Sequence, residues 1–278
     1  MIDPDTRLPV IPLDAVFNQT AGNYATAIFG VMAVAVFLYG LKFWRDTKNP
    51  IVMFMMLGGL TTTLVEPLLD IIGLAWHPMH GQNTAFELIG RPIPVWVVAV
   101  YLMYFGGLGS LNYLAFKKGV TTRMVWIWFC APVLLDIVME EIMMHFDLYI
   151  YYGQQPLILI KNFPLWWAPC NSMGEFIGVS LLALMGANLR GWKLLLIPIM
   201  MPIMDCVGYM LVGLPSIFVL NSENVSPLVT NLAGVTTFVL TGLCVYGVAL
   251  VMGTDSPLRT GSANPSPLGD LFKKTAAA

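Results

Sequence analysis

The sequence predicts an all-α, polytopic membrane protein with seven transmembrane helices, the amino terminus outside and the carboxyl terminus in the cytoplasm. Three observations carry that expectation. Hydrophobic residues make up 57% of the 278 and charged residues 11%, against about 25% charged in an ordinary soluble domain. The apolar residues gather into seven runs, each near the roughly 20 residues a helix needs to cross the hydrocarbon of a bilayer. Basic residues fall almost entirely between alternate runs, as retention of Lys and Arg on the cytoplasmic side requires.

Residues 1–23, with Asp3, Pro4, Asp5, Pro9, Pro12 and Asp14, lack the basic start and uninterrupted apolar core of a cleaved leader and read as an extracytoplasmic tail. The first run, 24–43, ends at Lys42, Arg45 and Lys48. The second, 50–73, carries Glu66 and Asp70, and the third, 93–116, carries Gly106, Gly107 and Gly109, small residues that let helices approach closely. The fourth, 124–146, holds Asp136, Glu140 and Glu141, with Asp147 extending that stripe and His145 beside Glu141. The fifth, 165–188, opens on Trp166 and Trp167 and contains Asn171 and Glu175. In the sixth, 193–219, Asp205 and Tyr209 sit among Pro198, Pro202 and Pro215, prolines that kink a helix. The seventh, 228–252, has no acid or base, and 253–278, rich in Ser, Pro and Gly, reads as a disordered cytoplasmic tail. The transmembrane domain is therefore 24–252.

In this orientation Lys42, Arg45, Lys48, Lys117, Lys118, Arg123, Arg190, Lys193, Arg259, Lys273 and Lys274 lie inside, and Arg7, Arg91 and Lys161 outside. The tryptophans fall near the run ends, where amphipathic rings settle. The membrane is the plasma membrane, or the endoplasmic reticulum in a eukaryote. Two longer outer connections, 74–92 and 147–164, contain Trp76, His77 and His80 in one and Tyr149, Tyr151 and Tyr152 in the other, and could cover a site. The two histidines flank Pro78 and read as solvated loop residues.

A formal charge of −2 leaves no basic excess to hold a phosphate backbone, which excludes nucleic acid as a partner. Cys130, Cys170, Cys206 and Cys244 stand singly in apolar stretches and read as small core residues, not a disulfide or zinc set. The seventh run has no lysine for a retinal Schiff base. Apolar surface facing lipid and facing a second subunit look alike, so the sequence assigns no oligomeric state.

The acids within the runs point to function. An Asp at mid-bilayer costs about 2.5–3.5 kcal/mol, so Glu66, Asp70, Asp136, Glu140, Glu141, Glu175 and Asp205 are expected to face one another or a polar cavity. Counted at about 1.5 Å per residue, all lie from the membrane middle outward. Glu66 and Asp70, Asp136 and Glu140, Asn171 and Glu175, and Asp205 and Tyr209 are each four apart and share a helix face. Two like charges in hydrocarbon share a proton before both ionise.

Three chemistries use such a set. In the first, a buried carboxylic acid protonates an alkene, epoxide or alcohol of a lipophilic substrate and a second carboxylate removes a proton, with no cofactor and no metal; aromatic faces stabilise the cation. Glu66, Asp136, Glu140, Glu175 and Asp205 are the catalytic candidates. Asp70, Glu141, Asn171, Tyr209, Trp166, Trp167 and Tyr152 are the candidates to bind and orient the substrate. The second is metal-dependent, with E-x-x-x-D at 66–70, D-x-x-x-E at 136–140, or a set of Glu140, Glu141, Glu175 and His145 as ligands. The third is proton- or cation-coupled transport, although the halves show no internal repeat.

Seven short-looped runs in under 300 residues, with Glu66 in TTLVEPLLD and Asp205 in PIMDCVGY, resemble the small integral-membrane terpene cyclases of meroterpenoid pathways. That family protonates an epoxide or alkene of a neutral prenylated substrate without a metal. The resemblance implies Glu66 and Asp205 as proton donors. The D-x-x-x-E-E stripe and the YYGQQPL and FPLWWAPCNS segments lie outside it. The expectation is a membrane isomerase, cyclase or dehydratase acting on a neutral isoprenoid-like lipid, with coupled transport and metal-dependent catalysis as the alternatives.

Overall fold

The structure, a computed structural model, describes residues 9–160 and 163–260; Arg7, Lys161, Lys273 and Lys274 lie outside them, as does 261–278 of the expected tail. Among the described residues there are seven long helices: α1 Gln19–Thr47, α2 Ile51–Gly73, α3 Val95–Lys118, α4 Thr122–His145, α5 Trp167–Met185, α6 Gly191–Leu220 and α7 Pro227–Met252. All but α4 are long and apolar enough to cross a membrane. α4 has the length, but Asp136, Glu140 and Glu141 stand in its second half.

Local chemistry sets the ends. Asn18 caps α1 by accepting the Ala21 amide at 3.1 Å, and Lys48 in the left-handed region (φ 57°) stops it before Pro50. Thr121 and Ser226 cap α4 and α7 in the same way, each satisfying an amide with no partner in the first turn. Helix α2 tightens to a 3-10 turn at Thr63–Val65 and restarts at Glu66 with Pro67 in its first turn, where its missing N–H costs nothing. In α3 the stretch Leu102–Leu108 widens to a π-helix, a local expansion often found at functional sites. Helix α4 ends at His145, and Asp147 sits in a turn with φ 55°. The acid stripe expected to run on through Asp147 therefore stops at Glu140 and Glu141.

Helices α2, α3, α5 and α6 form the packed centre, α7 lies against α6 and α4, and α1 leans on α2 and α3. Two glycine crossings bring backbones into contact. A Cβ on Gly59 of α2 would lie 2.5 Å from the Gly106 nitrogen of α3, and Gly174 of α5 meets Gly208 and the Asp205 backbone of α6. Such small-residue contacts replace the hydrophobic drive that lipid does not supply.

The two long connections, α2–α3 and α4–α5, fold onto each other. Strand β1 (Ala75–Trp76) pairs antiparallel with β4 (Ile150–Tyr151), joining the α2–α3 and α4–α5 connections, while β2 (Thr84–Leu88) and β3 (Arg91–Pro94) form a hairpin. Gln155 in YYGQQPL clamps this cap: its Nε2 donates to the Gly73 and Tyr152 carbonyls and its Oε1 accepts from Trp166 Nε1. Asn231 of α7 accepts the Leu157 amide. Beyond α7, residues 253–260 pack back against the start of α4. Thr254 pairs with Val120, Asp255 accepts the Thr122 amide at 2.6 Å, and a short α8 (Pro257–Thr260) follows.

Candidate functional site: a carboxylate cavity beneath the loop cap

The second half of α2 brings Glu66 and Asp70 inward, α3 brings Tyr101 and, from its π-segment, Tyr104 and Phe105, α4 contributes Asp136 and Glu140, and α5 contributes Trp167 and Asn171. Together with His77, Trp96, Tyr149 and Tyr151 they line a cavity of about 50 Å³. At roughly 10–15 Å³ for one water, this is room for a few water-sized molecules, or for the reacting end of a larger one.

On the α2 side the Tyr101 hydroxyl donates to Glu66 Oε2. His77 Nε2 faces Glu66 Oε1 at 3.7 Å and Asp70 Oδ2 at 3.9 Å. His77 is 3% exposed and Asp70 1%, yet neither Asp70 oxygen has a hydrogen-bond partner, nor has His77 Nδ1. Buried polar groups are normally paired, so these atoms are set to engage what enters. Trp96 Nε1 and the Tyr149 hydroxyl are likewise unpartnered. On the α4 side Tyr151 donates to Glu140 Oε2 at 3.2 Å and Asn171 Nδ2 to Asp136 Oδ2 at 3.2 Å. Tyr104 bonds to Ser172 at 2.8 Å.

The structure thus gathers Glu66, Asp70, Asp136, Glu140, Asn171 and Trp167 of the expected set. The others it places elsewhere. Glu175 is buried against Asn112, whose Nδ2 reaches both carboxylate oxygens at 3.1 Å, and this pair ties α5 to α3 outside the cavity. Asp205 is fully buried with both oxygens unpartnered, packed on Gly174, and does not line the cavity. Tyr209 and Trp166 lie behind Trp167 in an edge-to-face cluster. Tyr152 receives Arg91 Nη2 at 2.9 Å, with the guanidinium over the Trp76 ring, so it braces the cap. Glu141 is half-buried on a different face of α4 from the cavity-lining acids, and His145 is exposed against Phe146. The expected metal set of Glu140, Glu141, Glu175 and His145 is therefore dispersed.

Sequence reasoning missed His77, Tyr149 and Tyr151 as site residues. Loop residues carry no periodicity to mark which way they point. The signal available was the density of aromatics in the two outer connections, and the β1–β4 pairing turns them inward. A different donor set can hold a metal: the ligating atoms of Glu66, Asp70 and His77 all lie within 4.8 Å of one another. Comparison with known protein families, curated proteins and solved structures finds no match.

Proposed function

We propose that this is a seven-span membrane enzyme, amino terminus outside, that moves protons onto and off a neutral lipophilic substrate. Isomerisation, cyclisation and dehydration are the reactions this chemistry gives. The observation that carries the reading is the convergence of Glu66, Asp70, His77, Asp136 and Glu140, from two helices and a loop, on one small aromatic-walled cavity inside an apolar bundle. Glu140, one turn from Asp136 on α4 and held by Tyr151, is assigned as the donor. Asp136, oriented by the Asn171 amide, takes up the proton released from the neighbouring carbon. For an alkene, the Glu140 proton adds to one carbon, the cation is met by the faces of Tyr101, Phe105 and Trp167, and loss of a proton to Asp136 gives the rearranged product. The Glu66–Asp70–His77 group on the opposite wall returns protons through the same cavity. The test is product formation from neutral isoprenoid alkenes, epoxides and alcohols by wild type and by Glu140→Gln. A carboxamide keeps the shape but has no acidic proton, and general acid–base groups contribute about 10²–10⁴-fold.

A second reading is favoured by one specific observation, the mutual approach of Glu66, Asp70 and His77 with the Asp70 oxygens unpartnered. One imidazole and two carboxylates suit a divalent transition-metal ion, which would polarise a substrate oxygen in place of the proton. Metal content of the purified protein separates the two: about one ion per chain, lost in His77→Ala, supports the metal reading, and turnover that survives chelation supports proton chemistry.

A further inference from the structure

The cavity of about 50 Å³ is too small for any lipid, but a crevice of about 940 Å³ adjoins it. That volume is near the top of the roughly 300–1,000 Å³ usual for small-molecule sites. The crevice runs between α1, α3 and α4, from Asn18 and Tyr24 to Tyr39 along α1, a length of about 30 Å at 1.5 Å per residue. It forms because α1 leans on α2 and α3 and stands off from α4. The two spaces share a wall: Met139 and Met143 line both, and Phe29 of the crevice packs on Trp96 of the cavity at 6.3 Å between ring centroids. Methionine is unbranched and easily rearranged, so a partition built on two of them opens by side-chain rotation. No Asp, Glu, Lys, Arg or His lines the crevice. A phospholipid head group would find no charged partner there, whereas a neutral chain with one small oxygen function meets only apolar surface and a few hydroxyl and amide groups.

We propose that this crevice is the bilayer-side seat for the hydrocarbon tail of a neutral, single-chain substrate, whose reactive end passes Met139 and Met143 into the carboxylate cavity. The substrate class rests on the proton-transfer reading, but occupancy of the crevice can be measured without turnover.

The experiment uses the full chain in lipid nanodiscs and a long-chain primary alcohol bearing a diazirine, with adducts mapped by peptide mass spectrometry. Adducts are expected on the α1 and α4 segments that face the crevice. Unlabelled alcohol at about ten times its Kd should lower them by about tenfold, by mass action, while added phosphatidylcholine leaves them unchanged. Val138→Trp and Ala35→Trp, at exposed positions inside the crevice, should abolish the competed labelling, and Leu134→Trp, exposed on α4 outside it, should leave it intact. Glu140→Gln is expected to label like wild type. Adducts spread over the lipid faces of all helices, competition by phosphatidylcholine alone, or Val138→Trp and Ala35→Trp both labelling like wild type would overturn the seat. Saturable labelling with no turnover in any protein would leave the seat standing and remove the proton-transfer reading. Turnover with unspecific labelling would do the reverse.

Discussion

Glu66 accepts a hydrogen bond from the Tyr101 hydroxyl of α3, and the His77 imidazole of the loop above lies 3.7 Å from its other oxygen. A hydrogen bond to a charged group is worth about 1.5–3 kcal/mol, so its loss should be visible in the chemical step. Tyr101→Phe is expected to lower kcat by about 10- to 100-fold, the range that energy corresponds to, with KM little changed, because the ring that packs on Phe105 is kept. An equal rise in KM with kcat intact would mean Tyr101 merely lines the cavity. At this scale the helical part of the site was legible: spacing of four put Glu66 with Asp70 and Asp136 with Glu140, and the structure brings both pairs to one cavity. Spacing does not say which face turns to which neighbour. Glu175 and Asp205 lie on equally apolar helices and carry the same sequence signal, yet one is taken by Asn112 and the other by the α5–α6 crossing. His77 gave no signal because its burial is created by the loop pairing and not by its own helix.

Elements in this bundle are positioned by glycine crossings and by caps. A methyl on Gly174 would collide with the backbone of Asp205, whereas one on Gly247 meets nothing within 4 Å. Gly174→Ala should destabilise by about 1–3 kcal/mol, as overpacking does, and Gly247→Ala should be neutral; thermal unfolding in detergent distinguishes them. At the start of α4, Asp255 accepts the Thr122 amide and, at the positive end of the helix dipole, is held below the usual carboxylate range chiefly by that bond. A depressed carboxyl contributes stability that is present above its unfolded pKa and lost as pH falls through the folded one. Limited proteolysis after Met252 should thus rise in wild type only under acid conditions, and already at neutral pH in Asp255→Asn. The seven helices were legible from hydropathy, with ends a few residues out. The π-widening at Leu102–Leu108 was not, because a run such as LMYFGGL has the same composition in either helix type; the segment lies where Gly106 meets Gly59 of α2.

On the scale of the whole molecule, the acids gather under the loop cap and an uncharged crevice lies beside α1; in the proposed function the first handles protons and the second the apolar chain. The proposed orientation puts the cap on the extracytoplasmic side, as the placement of Lys and Arg along the sequence predicts. Single cysteines placed at exposed Glu87 and Asn188 test it. Glu87→Cys should react with an impermeant maleimide in intact cells, and Asn188→Cys only after lysis; the opposite pattern would invert the topology. The resemblance to terpene cyclases implies Glu66 and Asp205 as proton donors; Glu66 lines the cavity and Asp205 does not, so the proposed site rests on its own geometry.

In the proposed function, Glu140 delivers a proton to carbon. That step is tested most directly by incubating purified wild type and Glu140→Gln with a neutral isoprenoid alkene in D2O and following the products by gas chromatography with mass detection. Wild type is expected to give a rearranged product carrying deuterium at carbon, and Glu140→Gln a yield lower by about 10²-fold or more. An undiminished deuterated product from Glu140→Gln would contradict it, as would a wild type that forms no product but carries protons across proteoliposomes.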